Sequence, residues 1–305
     1  MRRRGELYAA LAAIGFGSAY VATALALRSF DPLPVAIYRG LLAAIAVAVM
    51  LAVSRRRSVP RPAAEPPARP SRLVRAIHVA LIAAFGGPIF IAAMNLAVAS
   101  VGATIASFVA GLYAILAALF APVLLREPLR ATALAGFLAA LVGTALLAEL
   151  DPAAPTIGGI GWGLVAAVSF ALFLVLARRW SVPDRLDPIV LVLVSTTATT
   201  VGLGAIVLVT NPGSFQPRAI AFEAVLGVAW LAFVTAAGQA LAIRAVRLLS
   251  ASRSSAFLLL NPIAAAILSL ALLGEQPTAL QGLGGLLVLA GIAVVTIRRS
   301  GKPGS

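Results

Sequence analysis

The sequence holds no cysteine and a single histidine, His78. The first absence excludes a disulfide framework and any thiolate-bound zinc or iron–sulfur site. The second removes the usual multi-histidine metal centres. Charge is also scarce, at 11% of 305 residues, where soluble domains run near about a quarter. Lysine is almost missing: Lys302 stands alone among 24 basic residues, a bias that carries no mechanism. There is no HExxH, no P-loop, no GxSxG elbow and no pair of carboxylates inside an apolar run. Ser18 follows Gly17, but His78 lies at the far end of its own apolar run. Zinc hydrolysis, ATP hydrolysis and serine chemistry therefore have no visible machinery, and no cofactor is implied.

What the sequence does have is apolar length. Hydrophobic residues make up 61% of the chain and its mean hydropathy is +1.04. A soluble fold of this size has too little interior to hide that surface, so lipid must be the solvent. A membrane helix needs roughly 20 apolar residues. Such runs lie near 7–27, 33–53, 77–98, 103–125, 131–149, 158–177, 188–209, 221–242, 252–273 and 279–297. The expected fold class is an all-α membrane protein of ten transmembrane helices. The first run follows Met1-Arg2-Arg3-Arg4 but exceeds the roughly 7–15 residues of a signal h-region, which favours a retained span. Gly86, Gly87 and Pro88 interrupt the third run, while Pro122 and Pro262 fall in the fourth and ninth.

The net charge of +14 would direct attention to nucleic acid in a soluble chain. Here it sits in loops, and topology explains it better; no nucleic-acid partner is expected. With the N-terminus in the cytoplasm, only Arg28 and Arg218 fall outside, and Arg39 lies within the second span. Every other Arg and Lys falls on the inner side, as the positive-inside rule requires. The expectation is a multi-pass protein of a bacterial cytoplasmic (inner) membrane with both termini inside. Residues 54–75, rich in Arg, Pro and Ala, read as a cytoplasmic linker attracted to anionic lipid, and 298–305 as a cytoplasmic tail.

An internal repeat emerges when the chain is slid by 148 residues. Ser107 meets Ser255, Leu112 meets Leu260, and Glu127 of Leu-Leu-Arg-Glu-Pro meets Glu275 of Leu-Leu-Gly-Glu-Gln. Gly136 meets Gly284 and Gly143 meets Gly291. The implied halves are 1–149 and 157–297. Five spans per half is an odd number, so the second copy enters the membrane upside down relative to the first. That is the inverted-repeat plan of secondary transporters, with a central cavity between the halves.

The run Ser254-Ser255-Ala256-Phe257-Leu258-Leu259-Leu260-Asn261-Pro262, continuing to Leu272-Leu273-Gly274-Glu275, resembles the second repeat of EamA-type proteins of the drug/metabolite transporter superfamily. Gly17-Ser18, Tyr38-Arg39-Gly40 and Leu124-Leu125-Arg126-Glu127 resemble the first repeat. The likeness covers about residues 7–297. It implies efflux of amino acids or related metabolites, and a cavity lined by spans one, three, four, six, eight and nine. One position departs from symmetry: Pro262 is matched by Ala114, so an irregularity in the fourth span must arise elsewhere, with Pro122 the nearest source.

Polar residues in hydrocarbon are costly and tend to face a bundle interior or a watery cavity. Ser18, Tyr113, Ser169, Trp230 and Asn261 lie near their span midpoints, with Asn95 further out and Gln239 further in. These seven form the expected substrate-binding set, although each serine can instead bond its own helix and each aromatic ring can simply pack. Arg39 is either an anion anchor or a charge that snorkels to the outer interface, with Asp31 and Glu223 as conceivable partners. Glu127 and Glu275 end their helices on opposite faces, as caps or as gates. Gly161-Trp162-Gly163-Leu164-Val165-Ala166 fits a dinucleotide pattern, but it opens a membrane span. It reads, like Gly282, Gly284 and Gly285, as small-residue helix packing.

The reading that follows is a secondary transporter for a small organic solute in the lipid bilayer, with no metal and no enzymatic role. A non-transporting membrane scaffold is the alternative. The oligomeric state is left open.

Overall fold

Helix formation is dictated by the solvent: in hydrocarbon every backbone N–H and C=O must be satisfied within the segment. The computed structural model describes residues 2–57, 71–126, 131–147, 156–180, 186–217, 219–241, 245 and 260–297. Among the described residues the structure is helical, with no strand. The helices are α1 (Arg2–Ala26), α2 (Pro32–Arg57), α3 (Arg72–Gly86), α4 (Pro88–Gly111), α5 (Tyr113–Leu125) and α6 (Ala131–Leu147). They continue with α7 (Thr156–Trp180), α8 (Pro188–Thr210), α9 (Phe222–Phe233), α10 (Leu260–Leu273) and α11 (Ala279–Ile297). A π-helical turn, Val234–Gly238, extends α9. Ser71 caps α3 by accepting from the Val74 N–H at 3.3 Å, and Asp187 caps α8 by accepting from Ile189 at 2.8 Å.

Among the described residues six segments are long and apolar enough to cross a membrane. One of them, Arg72–Ala117, runs for 46 residues, which at 1.5 Å per residue is far more than one bilayer core of about 30 Å. Three backbone breaks divide it, the third being the Leu112 turn between α4 and α5. Gly87 adopts φ −116°, ψ −106° between α3 and α4, at the Gly-Gly-Pro interruption expected from sequence. Gly102 adopts φ 77°, ψ 172° inside α4, in the gap between the third and fourth expected spans. An L-residue rarely occupies that positive φ, which is why a glycine stands there.

The irregularity of the fourth span lies at Leu112, not at Pro122. Leu112 (φ −58°, ψ −16°) bonds back to Val109 at 3.1 Å in a tightened turn, whereas α5 runs through Pro122 to Leu125. The first helix starts at Arg2 and the third at Arg72, several residues before their apolar runs, because arginine-rich turns continue both helices beyond the hydrophobic stretch. His78, expected at the interface, stacks on Trp180 with ring centroids 3.9 Å apart. Glu127, Arg218, most of the 54–75 linker, the start of the ninth expected span and the 298–305 tail lie outside the described residues.

Two packed clusters form the centre. One joins Phe108, Val109, Leu112, Tyr113 and Ile115 to Ala140, Ile160, Ala167, Ala171 and Val288. The other joins Tyr20 and Val21 of α1 to alanine-rich faces of α4, α7 and α10. Small side chains let these backbones approach closely, which is how helices gain packing energy in lipid.

The seam between α6 and α11 is built by glycine. A Cβ placed on Gly143 would lie 2.6 Å from the Gly284 carbonyl oxygen, and one on Gly291 would lie 2.5 Å from that of Gly136. The contact is reciprocal: as the residue number rises along α6 it falls along α11, so the two helices run antiparallel. Gly163 and Gly285 also sit in tight contacts, against Val109 and Phe108. Gly161 and Gly282 do not, for a Cβ at either meets nothing within 4 Å. The sequence pattern therefore overstated packing at those two positions.

Candidate functional site

Three breaks in helical regularity concentrate the polar chemistry. The first is the Leu112 turn, which delivers Tyr113 to the inside of the bundle. Its phenol is 4% exposed and neighbours the side chain of Asn261, itself 7% exposed. α1 passes directly over this point, since a Cβ on Gly17 would lie 2.4 Å from the Asn261 carbonyl oxygen. Tyr20, one turn further along α1, is buried within electrostatic reach of Tyr113 on one side and of Arg39 on the other. The phenol of Tyr113 also meets Phe170 edge-on at 4.8 Å, and Phe170 lies 4.7 Å from Phe90.

The second break is the π turn of α9. It carries Thr235, fully buried, whose hydroxyl donates to the Leu231 carbonyl at 2.7 Å and accepts from Arg39 Nε at 2.6 Å. Arg39 is 3% exposed, so its side chain is enclosed by the bundle and does not lie along its outer surface. Glu223, one conceivable partner for it, instead pairs with Arg28 at 3.6 Å on an exposed edge. Arg39, Tyr20, Tyr113 and Asn261 thus form a buried polar line on α2, α1, α5 and α10, each within electrostatic reach of the next.

The third break is Gly86–Pro88. A proline supplies no N–H, and Ser169 of α7 donates its hydroxyl to the nearby Phe85 carbonyl at 2.8 Å. Removing that donor with Ser169→Ala is expected to lower stability by about 1 kcal/mol, read as a lowered melting temperature in detergent, because a partly buried carbonyl loses its hydrogen bond.

The remaining expected residues are placed as follows. Asn95 is fully buried and donates Nδ2 to the Pro32 carbonyl at 2.9 Å, tying α4 to the start of α2. Ser18 donates to the Gly15 carbonyl at 2.7 Å and accepts from Trp230 Nε1 at 2.8 Å. Trp230 is 46% exposed and continues a stripe of exposed apolar side chains, Phe222, Leu226 and Phe233, at helical spacing. It therefore stands apart from the Arg39–Asn261 line. Gln239 follows the π turn and is half-buried. Tyr20 and Thr235 belong to the line but were not singled out from sequence. Tyr20 lies near its span midpoint, and that position was the available signal.

Several buried polar atoms have no protein partner: Arg39 Nη1, Asn95 Oδ1, Asn261 Oδ1 and Ser269 Oγ. Asn261, Ala265 and Ser269 are buried at helical spacing on α10, so two of these atoms share one inward face. Natural structures leave few such groups unpaired, so each has room for a water, an ion or a ligand group as its partner.

Glu275 follows α10. Its Oε1 accepts from the Ala103 N–H at 2.9 Å, and its Oε2 accepts from the Thr104 N–H at 3.0 Å and the Thr104 hydroxyl at 2.7 Å. These are the first amides after the Gly102 break. The carboxylate thus caps, from a distant part of the chain, the helix that restarts there.

A helical bundle of this apolarity, with a buried polar line and an antiparallel glycine seam, is a multi-pass membrane protein of two related parts. The EamA-like transporter family matches the chain twice, over residues 3–148 and 157–297. The chain belongs to that family, whose members are membrane transporters of small solutes and not enzymes. A search of curated proteins returns no match. Among 27 matching chains of solved structures, one described only as the crystal structure of a protein aligns over 99% of this chain and 100% of its own. It does so at TM-score 0.64 and 20% identity, a likeness of fold alone.

Proposed function

We propose that the chain is a secondary transporter of ten spans, arranged as two inverted halves, 1–149 and 157–297. It exports a small organic solute, of the amino acid or related metabolite class, by alternating access. In this reading it sits in a bacterial cytoplasmic membrane with both termini inside. The observation that carries the proposal is the buried line Arg39–Tyr20–Tyr113–Asn261, with unpaired polar atoms at both ends. Polar groups inside a membrane bundle that serve no structural bond are kept for a ligand or an ion. The antiparallel, reciprocal packing of α6 on α11 supports inversion about an axis in the membrane plane. Two parallel halves related by an axis along the membrane normal would bring Gly143 to Gly291 instead.

The equivalent positions Tyr113 and Asn261 differ in chemistry, so the line offers a phenol from one half and an amide from the other. Asn261 would bind a polar group of the solute through whichever end of its amide Tyr113 leaves free. Glu275 would hold the outer ends of spans four and nine together, and its release would open that side. Asn261→Leu is expected to reduce counterflow in proteoliposomes by about tenfold or more, the worth of one buried hydrogen bond made to the solute, while stability falls by no more than about 1–2 kcal/mol, the worth of the lost Tyr113–Asn261 bond. Unchanged counterflow in that variant would remove Asn261 from the site.

A further inference from the structure

Arg39 is the only basic residue placed inside an apolar span, and burial of a guanidinium without a counter-charge is expensive. The effective penalty in a protein is several kcal/mol per ion. Among the described residues no carboxylate pairs with it. Its Nε is held by the Thr235 hydroxyl, and that hydroxyl is in turn bonded to Leu231. Thr235 thus orients the fork without neutralising it. Nη1 is buried and unpartnered, so a donor carrying positive charge is left over where the α1, α2 and α9 segments meet. We infer that Arg39 is the anchor for an anionic group on the transported solute, and that this group is a carboxylate.

The chemistry narrows the class. One guanidinium supplies a single positive charge, and with Nε committed to Thr235 the unpartnered Nη1 offers the charge-assisted hydrogen bond that a carboxylate oxygen accepts. A phosphate dianion needs more charge than the site holds, since Thr235 is already committed and Tyr20 is a neutral phenol. A permanent cation is repelled outright, which separates the expected solutes from cationic dyes. The aromatic rings of Tyr113, Phe170 and Phe90 pack in series from the Tyr113 end of the polar line and suit an apolar body attached to that carboxylate. This inference deepens the transporter reading, on which it rests for the solute's route.

The test uses the purified full chain in detergent and three probes: L-phenylalanine, 3-phenylpropionate and L-phenylalaninamide. A ligand that binds the folded state raises its apparent melting temperature. The two acids are expected to stabilise the wild type and the amide, which lacks a carboxylate, is not. In Arg39→Gln the response to both acids should fall roughly 10- to 100-fold in apparent affinity, the range of a charge-assisted hydrogen bond. Arg39→Lys should keep the preference for acids with weakened affinity, and it decides the matter should the glutamine variant fail to fold. The inference is overturned by stabilisation from the amide equal to that from the acids. It is overturned equally by a wild type that neither acid stabilises, or by an Arg39→Lys affinity unchanged from wild type. Counterflow of labelled L-phenylalanine in proteoliposomes separates the two layers. Binding through Arg39 without counterflow would leave the anchor standing and remove the transporter reading. Counterflow with the wild type's rate and its discrimination against the amide in both Arg39 variants would remove the anchor alone.

Discussion

Glu275→Ala is expected to destabilise the protein by about 2–4 kcal/mol. The carboxylate accepts from two backbone amides and one hydroxyl, and hydrogen bonds to an ionised group are worth about 1.5–3 kcal/mol each where solvent is excluded. Glu275 is partly buried, so the sum of three such bonds is an upper bound. Anions at a helix N-terminus also gain from the helix dipole. The glutamine variant sharpens the prediction. Glu275→Gln keeps the shape but turns an NH2 group toward at least one donor, so it should lose most of what the alanine variant loses. Thr104→Val removes only the hydroxyl contact and is expected to have a smaller effect, about 1 kcal/mol. Paired with Glu275→Ala it should add little, since the residues share one bond. Melting in detergent reads all four. Equal stability of Glu275→Gln and wild type would mean that the clasp carries no charge-assisted energy. In proteoliposomes the same variants test the proposed gate: loss of the clasp should change the rate of counterflow as well as the melting point.

The glycine seam gives the second large effect. Gly143→Ala and Gly291→Ala should each destabilise by about 1–3 kcal/mol, because the new methyl meets backbone and has no side chain to push aside. For Gly143 the obstacles are the Gly284 carbonyl at 2.6 Å and the Val288 amide at 2.8 Å; for Gly291 the Gly136 carbonyl lies at 2.5 Å. Reciprocity makes the prediction quantitative in form. The two variants should be matched in size, and the double variant should fall short of their sum, since one separation of α6 from α11 relieves both clashes. The controls lie in the same class of residue. Gly161→Ala and Gly282→Ala enter open space, so each should be neutral or stabilising by up to about 1 kcal/mol, the ordinary gain of alanine over glycine in a helix. Equal destabilisation at all four positions would mean that loss of glycine itself, and not the seam, sets the effect.

Much of this arrangement was legible in the residues. The apolar runs located the helices, and the offset of 148 already paired Gly136 with Gly284 and Gly143 with Gly291. What the offset does not reveal is that the equivalent glycines are also neighbours, crosswise, because an alignment compares residues without placing them. The Gly86–Pro88 interruption was legible because proline removes a donor. The Gly102 break was not, for a lone glycine among small residues in a membrane run usually marks packing. Arg39 was legible as a problem but not as a solution: depth in a span leaves interface and interior equally open to a long side chain. Its burial depends on Thr235, and Thr235 depends on a π turn whose residues, Val-Thr-Ala-Ala-Gly, carry no signature. Ser18 and Ser169 looked alike in sequence, yet one accepts from an indole and the other supports a broken helix.

That π turn has a genetic meaning. An α-helix advances about 100° per residue, so an extra residue in a regular helix rotates everything beyond it by about that angle, whereas a π turn takes the residue up locally. Within Val234–Gly238 a deletion of one codon would be absorbed by reversion to α-helix, with no broken reading of the membrane span. The flanking segments would keep their phase, while the residues inside the turn would shift and carry Thr235 out of line with Arg39. An alignment gap at this point between related chains would therefore mark a divergence in what the interior recognises, and not merely a change in length.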